Sequence, residues 1–142
     1  MRMKLVGMFT PVFVLALVGA VVPASAHHGF GVEFDNNKCM NLKGTLSGLT
    51  WENPHAYFDI DVKNPEGKTI TWHLEMVTPN ALKRTGTTKQ DFLDNMGKTI
   101  NVHACQSKVG DYRGAAEYMA LPDGLIRIVG QGGARAGADT HF

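Results

Sequence analysis

Two neighbouring segments of the chain alternate strictly between apolar and polar residues. In residues 55–63 the apolar side chains fall at even positions, and in residues 68–76 they do so again. A period of two is typical of strands with one buried face. The intervening sequence Asn-Pro-Glu-Gly at 64–67 is a turn signal, which predicts that the two strands form a hairpin. The chain is therefore constrained to a β fold with one apolar and one polar face.

Parity also sets the register of this hairpin, because a slip by one residue would bury the polar set. The predicted pairs are Lys63 with Thr69, Ile60 with Trp72, Phe58 with Leu74, Asp59 with His73, and Tyr57 with Glu75. The outer face then carries a patch of five side chains that share polar or ionisable groups: His55, Tyr57, Asp59, His73 and Glu75. We expect any ligand chemistry of the chain to lie on this face.

The remaining segments predict further strands around a helical insert. Strands are expected at 42–51, 98–107, 115–121 and 125–129, with a turn at 33–37, and short helical pieces at 78–86 and 88–96. Thr78 followed by Pro79 is a typical helix start. Three strands, a helical insert and more strands favour an all-β fold of the OB-like barrel type, with a β-sandwich as the alternative.

The N-terminal residues 1–26 have the parts of a secretory signal peptide. Arg2 and Lys4 precede an apolar run at 5–22, and Ala24-Ser25-Ala26 forms a small-x-small cleavage site. An uncleaved anchor is the alternative, because the run is almost long enough to span a bilayer. Cleavage predicts a protein exported to the periplasm or secreted, with one domain at 27–129 and a disordered Gly- and Ala-rich tail at 130–142.

The charge balance of the processed chain argues against nucleic-acid binding. Loss of Arg2 and Lys4 turns the formal net charge of +1 into −1, and no basic cluster remains. Beyond residue 26 there is no second apolar run of membrane-spanning length, so no membrane span is expected after cleavage.

The two cysteines, Cys39 and Cys105, predict a disulfide. They are far apart, neither lies in a Cys-x-x-Cys motif, and the chain is expected to be exported. In an OB-like barrel the first and fourth strands are neighbours, which would bring them together. Two free thiols, or a cuprous site that uses Cys39, are the alternatives.

Cleavage after Ala26 would place a free amine and an imidazole on His27, beside the imidazole of His28. Together with His55 these nitrogens form a set that suits a divalent transition metal, with copper favoured. Glu75 is expected either as a weak axial ligand or as a hydrogen-bond partner of a ligand. The predicted metal residues are therefore His27, His28, His55 and Glu75.

The polar face also fits a different function, a binding module for a small organic ligand or an envelope protein partner. In that reading the histidines only shape the site, and Trp51, Tyr57, Asp59 and His73 contribute to the binding face. Alternatively, His73 and Asp59 form only a cross-strand pair and bind no ligand. No nucleophile elbow, His-Glu-x-x-His motif or phosphate-binding loop is present, so no catalytic residue is assigned and a copper-dependent enzyme is less favoured.

Several short motifs together resemble a bacterial family of small exported proteins known as domain-of-unknown-function family 6152. They are His27-His28-Gly29-Phe30, Glu33-Phe34-Asp35, Trp51-Glu52-Asn53-Pro54-His55, Trp72-His73-Leu74-Glu75 and the run from Pro79 to Gly86. The resemblance implies an exported single β-domain without an established activity. It points at His27, His28, Trp51, Asn53, His55 and Glu75 as signature positions, and it places Asn53 on the binding face. Thr87 departs from the family, whose members commonly carry Trp there.

Overall fold

The computed structural model describes residues 29–131 and 140–142. Within them, the six strands are β1 Phe34–Thr50, β2 Tyr57–Lys63, β3 Thr69–Glu75, β4 Thr99–Ser107, β5 Arg113–Ala120 and β6 Ile126–Ile128. The three short helices are α1 Phe30–Glu33, α2 Pro79–Arg84 and α3 Lys89–Leu93. No helix in these residues has the length and apolar character that crossing a membrane requires.

Strands β1 to β5 form a closed ring, and β6 pairs with β5. Their order is β3-β2-β1-β4-β5-β6, all neighbours are antiparallel, and a parallel pairing of β3 with β5 joins the two sides. Helices α2 and α3 lie between β3 and β4 in the chain. The predicted all-β class with a helical insert is confirmed, and the strand order is the one expected of an OB-like fold. One ring takes the place of the two packed sheets that a β-sandwich requires.

The central hairpin has the predicted register. All five predicted pairs between β2 and β3 are present, from Lys63 with Thr69 to Tyr57 with Glu75. Phe58, Ile60 and Leu74 are buried on the inner face. The polar partners are only half-buried, so the outer face remains available for ligands.

The first strand starts earlier than predicted. β1 begins at Phe34, whereas the sequence predicted a turn at 33–37 and a strand from residue 42. The pairing of β1 with β4 is irregular between Phe34 and Cys39, where the Asn37 amide donates to Asp35 Oδ1 over 3.0 Å. Because this part of the strand bulges outward and residues 36–38 are exposed, it lacks the alternation that identifies a strand.

The helical insert is held by caps and by two buried apolar side chains. Thr78 Oγ1 accepts from the Ala81 amide over 3.1 Å, which confirms the predicted N-cap. Thr88 and Asp91 form a capping box at the start of α3. Leu82 of α2 and Phe92 of α3 are fully buried. The insert is therefore part of the core and not a loose loop.

The predicted disulfide between Cys39 and Cys105 is confirmed. The two residues are direct partners across the antiparallel pair of β1 and β4. The bridge therefore joins the start of the first strand to the fourth strand and encloses the central hairpin and the helical insert.

The C-terminal residues 140–142 lie against β5. Tyr118 Oη donates to the His141 carbonyl over 2.9 Å, and the rings of Tyr118 and Phe142 meet edge to face at 5.4 Å. Thr140 is buried. Residues 132–139, which make up most of the tail predicted to be disordered, lie outside the described residues.

The buried hydroxyl of Thr87 is expected to lower the stability of the fold. Its side chain is fully buried, and within the described parts of the chain its hydroxyl has no hydrogen-bond partner. Because an unsatisfied buried hydroxyl costs free energy, Thr87→Val should raise the free energy of unfolding by about 1 kcal/mol. Urea denaturation measures this change. Thr85→Val is the control, since the Thr85 hydroxyl donates to the Leu82 carbonyl over 2.9 Å and its loss should bring no gain.

Candidate functional site

A cavity of about 260 Å³ lies where α1 meets the polar face of the hairpin. We call it the α1 cavity. Its apolar wall includes Phe30 and Phe34, whose rings are 5.2 Å apart. Its polar wall consists of four side chains with ionisable groups: Glu33, His55, Tyr57 and Glu75. Residues of α1, at the start of the described chain, and residues of the predicted binding face therefore line the same cavity.

His55 is held in one orientation by the end of β3. Its Nδ1 lies 3.0 Å from Glu75 Oε1 and 3.1 Å from the Met76 carbonyl oxygen. A carbonyl can only accept, so the contact with Met76 requires the proton on Nδ1. The lone pair of neutral His55 is then on Nε2, and the described residues offer no hydrogen-bond partner to that nitrogen. An imidazole fixed through Nδ1 in this way is the usual arrangement of a histidine that binds a metal through Nε2.

Glu75 links His55 to Tyr57. The Tyr57 hydroxyl donates to Glu75 Oε2 over 3.1 Å, while Oε1 faces His55. Burial raises the pKa of Glu75, and the nearby Glu33 adds to this, although His55 and Tyr57 oppose it. Burial and the Glu75 carboxyl raise the pKa of Tyr57 to about 12. Negative charge is thus disfavoured here unless a cation accompanies it.

The stability of the fold should depend on pH through Glu75. A raised pKa means that the folded chain holds this proton more tightly than the unfolded chain, whose carboxyl titrates near 4.5. The resulting stability is fully present below that value and is lost as pH rises through the folded pKa. Relative to Glu75→Gln, the wild type should therefore lose free energy of unfolding as pH rises from about 3 to 8. Urea denaturation across that range checks this, with Glu66→Gln as the control for loss of an acidic charge.

Asp59 and His73 form a separate pair on the surface. His73 Nδ1 lies 2.6 Å from Asp59 Oδ1, and the His73 ring stacks on Tyr57 at a centroid distance of 5.0 Å. Neither residue lines the α1 cavity. The predicted binding face is thus divided, with His55, Tyr57 and Glu75 in the cavity and the Asp59–His73 pair beside it.

Trp51 and Asn53 do not line the cavity either. Trp51 is half-buried and packs on the Phe92 ring at 5.9 Å, so it belongs to the contact between β1 and α3. Asn53 is exposed, but the following Pro54, which is joined to it by a cis peptide bond, does form part of the cavity wall. His27 and His28 lie outside the described residues.

The sequence reasoning missed Glu33 as a cavity residue. Residues 33–37 were expected to form a turn, and nothing in their spacing indicates that Glu33 lines the same cavity as the end of β3. The sequence does place Glu33 close to His27 and His28 in the chain. That closeness indicates a shared site only when the cavity is known.

The comparisons with known proteins assign the chain to a family but not to an activity. The sequence pattern of a family of unknown function, DUF6152, matches residues 15–116. No curated protein and no solved structure matches the chain. The matched range includes β1 to β4 with the polar wall of the α1 cavity. Because the match covers most of the chain, the protein belongs to DUF6152, a family of unknown function.

Proposed function

We propose that this protein is an exported β-domain that binds a divalent transition metal, with copper favoured, through His27, His28 and His55. Glu75 contacts His55 Nδ1 and so fixes the orientation of the imidazole. The observation that carries the proposal is the position of His55, whose Nδ1 is engaged by Glu75 and Met76 and whose Nε2 is left for a ligand.

The short spacing in sequence between the N-terminal histidines and the cavity supports the proposal. Phe30 lines the α1 cavity, and His28 precedes it by two residues. Two or three residues of chain span at most about 7 to 11 Å. If the chain is cleaved after Ala26, this length of chain allows the new amine and both imidazoles to reach the α1 cavity.

The charges of the cavity favour a cation. Glu33 and Glu75 are both in its wall, and no Lys or Arg is among the wall residues that the structure describes. Arg113 is near enough to lower the pKa of Glu75, but this is the weakest of the effects on that carboxyl. A bound cation would offset the cost of ionising Glu75 in a half-enclosed site.

The donor types favour copper among the divalent metals. An amine and several imidazoles form the nitrogen set that Cu(II) prefers, and Cu(II) binds most tightly of the first-row divalent ions. The disulfide between Cys39 and Cys105 fits the oxidising compartment that export implies.

A second candidate function rests on the apolar wall. Phe30, Phe34 and Met76 line the same cavity, and apolar walls with a few polar groups are typical of sites for small organic molecules. In that case Tyr57 supplies the directional hydrogen bond, and binding depends on Tyr57 and Phe34 and not on the N-terminal amine.

The test is a Cu(II) titration followed by EPR. The full chain is expressed with its own N-terminal segment, and mass spectrometry identifies the exported product that begins at His27. The His55→Ala variant should bind Cu(II) at least about tenfold more weakly and give a changed spectrum, because one nitrogen donor is lost. A form with one extra residue before His27 should also change the spectrum.

His103→Gln is the matched control, since His103 lies on β4 and does not line the cavity. It should leave the Cu(II) spectrum of the disulfide-bonded protein unchanged. A spectrum that is the same in wild type and His55→Ala would contradict the proposal, because the N-terminus would then act as a simple peptide chelator. The search would move to organic ligands and to the Tyr57→Phe variant.

A further inference from the structure

A second cluster of metal-binding side chains lies on the outer face of β1 and β4. Cys39, His103 and Cys105 each offer one ligand atom, and these atoms are all within 4.8 Å of one another. The two cysteines are joined as a disulfide in the structure, so the cluster binds no metal in this oxidised form. It shares no residue with the α1 cavity.

Strand register explains why the three residues meet. Cys39 is opposite Cys105, and Asn41 is opposite His103 in the same antiparallel pair. His103 and Cys105 are two residues apart on β4, so their side chains point to the same side of the sheet. The cluster is therefore built on two paired strands, which hold the ligands more firmly than a loop would.

The His103 ring is held in place by its neighbours. Its Nδ1 lies 2.7 Å from Asn41 Oδ1, and the ring stacks on Tyr118 with centroids 4.8 Å apart. Tyr118 is itself fixed by the His141 backbone, which both accepts from and donates to its hydroxyl.

We propose that reduction of the Cys39–Cys105 disulfide opens a Cu(I) site formed by the two cysteine sulfurs and the His103 imidazole. The reductant is a dithiol. It supplies two electrons and two protons, the sulfur–sulfur bond of the protein breaks, two thiols form, and the dithiol becomes a disulfide. Binding of Cu(I) then releases the two thiol protons to solvent and leaves two thiolates and one imidazole on the ion.

The donor set suits Cu(I). Thiolates are soft ligands that favour Cu(I) and zinc. Zinc held by three protein ligands needs a water or substrate as its fourth ligand, whereas two thiolates and one imidazole complete a three-coordinate Cu(I) site. Cys39 is half-buried and Cys105 is buried, so the site is open to an incoming ion from the Cys39 side. Oxidation would release the ion, which makes the site sensitive to the redox state of its compartment.

The test compares Cu(I) uptake before and after reduction. The exported protein is reduced with dithiothreitol under argon, desalted, checked for two free thiols and titrated against the coloured Cu(I) complex of bicinchoninate. The reduced protein should remove one more equivalent of Cu(I) than the oxidised protein. His103→Ala and His103→Gln should weaken this additional binding at least about tenfold. His55→Ala should leave it unchanged, which separates this site from the α1 cavity.

Circular dichroism shows whether the reduced protein is folded and measures its unfolding temperature. Cu(I) should raise the unfolding temperature of the reduced wild type and should not do so for the double variant Cys39→Ala, Cys105→Ala. Equal Cu(I) uptake by the oxidised and reduced forms would overturn the proposal. So would additional binding that is insensitive to both His103 variants, or a reduced protein that is unfolded and does not refold with Cu(I).

Discussion

Replacing both Cys39 and Cys105 with alanine is expected to lower the free energy of unfolding by about 4 kcal/mol. The bridge joins residues that are 66 positions apart, and the entropy that a cross-link removes from the unfolded chain grows with the length of the closed loop. That loop contains the central hairpin and the helical insert. Urea denaturation of the oxidised wild type and the double variant measures the difference.

The control for this prediction is another facing pair on the same two strands. Lys43 and Asn101 are direct partners in the β1–β4 pairing, and their double replacement by alanine removes side chains without removing a cross-link. It should cost at most about 1 kcal/mol. If the two double variants lose the same amount, the bridge adds nothing beyond ordinary cross-strand contacts and the prediction is wrong.

Phe92→Ala is expected to lower the free energy of unfolding by about 3 to 5 kcal/mol, because it leaves a cavity in the core. Phe92 is fully buried. Its ring packs between Phe58 on β2, at 5.6 Å, and Trp51 after β1, at 5.9 Å. One side chain thus attaches α3 to two parts of the ring of strands.

Leu93→Ala is the matched control, because Leu93 is the next residue of the same helix and 48% of it is exposed. It should change the free energy of unfolding by less than about 1 kcal/mol. Tryptophan fluorescence should also shift in Phe92→Ala, since Trp51 loses a neighbouring ring. A loss in Leu93→Ala as large as that in Phe92→Ala would mean that helix propensity, and not burial, dominates this position.

The hairpin and the helix starts could be predicted because their signals are local. Phe58 and Leu74 face each other since both strands carry apolar residues at even positions and only one register buries both sets. Thr78 caps α2 through a hydrogen bond to an amide three residues away. Such patterns involve residues that are close in sequence, so they can be identified without the fold.

The site was predicted less completely. The polar residues His55, Tyr57 and Glu75 follow from the register, and they do meet in one place. Trp51, which was predicted for the binding face, packs on the Phe92 ring against the core, and that partner is 41 positions away in the sequence. Glu33 was assigned to a turn, although it lines the α1 cavity. Neither placement has a signal in spacing or composition.

The sequence by itself determined the class of fold, the hairpin register, the Thr78 helix cap and the choice of Cys39 and Cys105 as a disulfide. These depend on periodicity, on neighbouring residues or on having two cysteines with one sensible pairing. Only the tertiary structure decided that β3 and β5 close the ring, that α1 and the end of the hairpin line one cavity, and that His103 lies beside the disulfide. Those features arise from contacts between segments far apart in the chain, whose free energies depend on how the whole core packs.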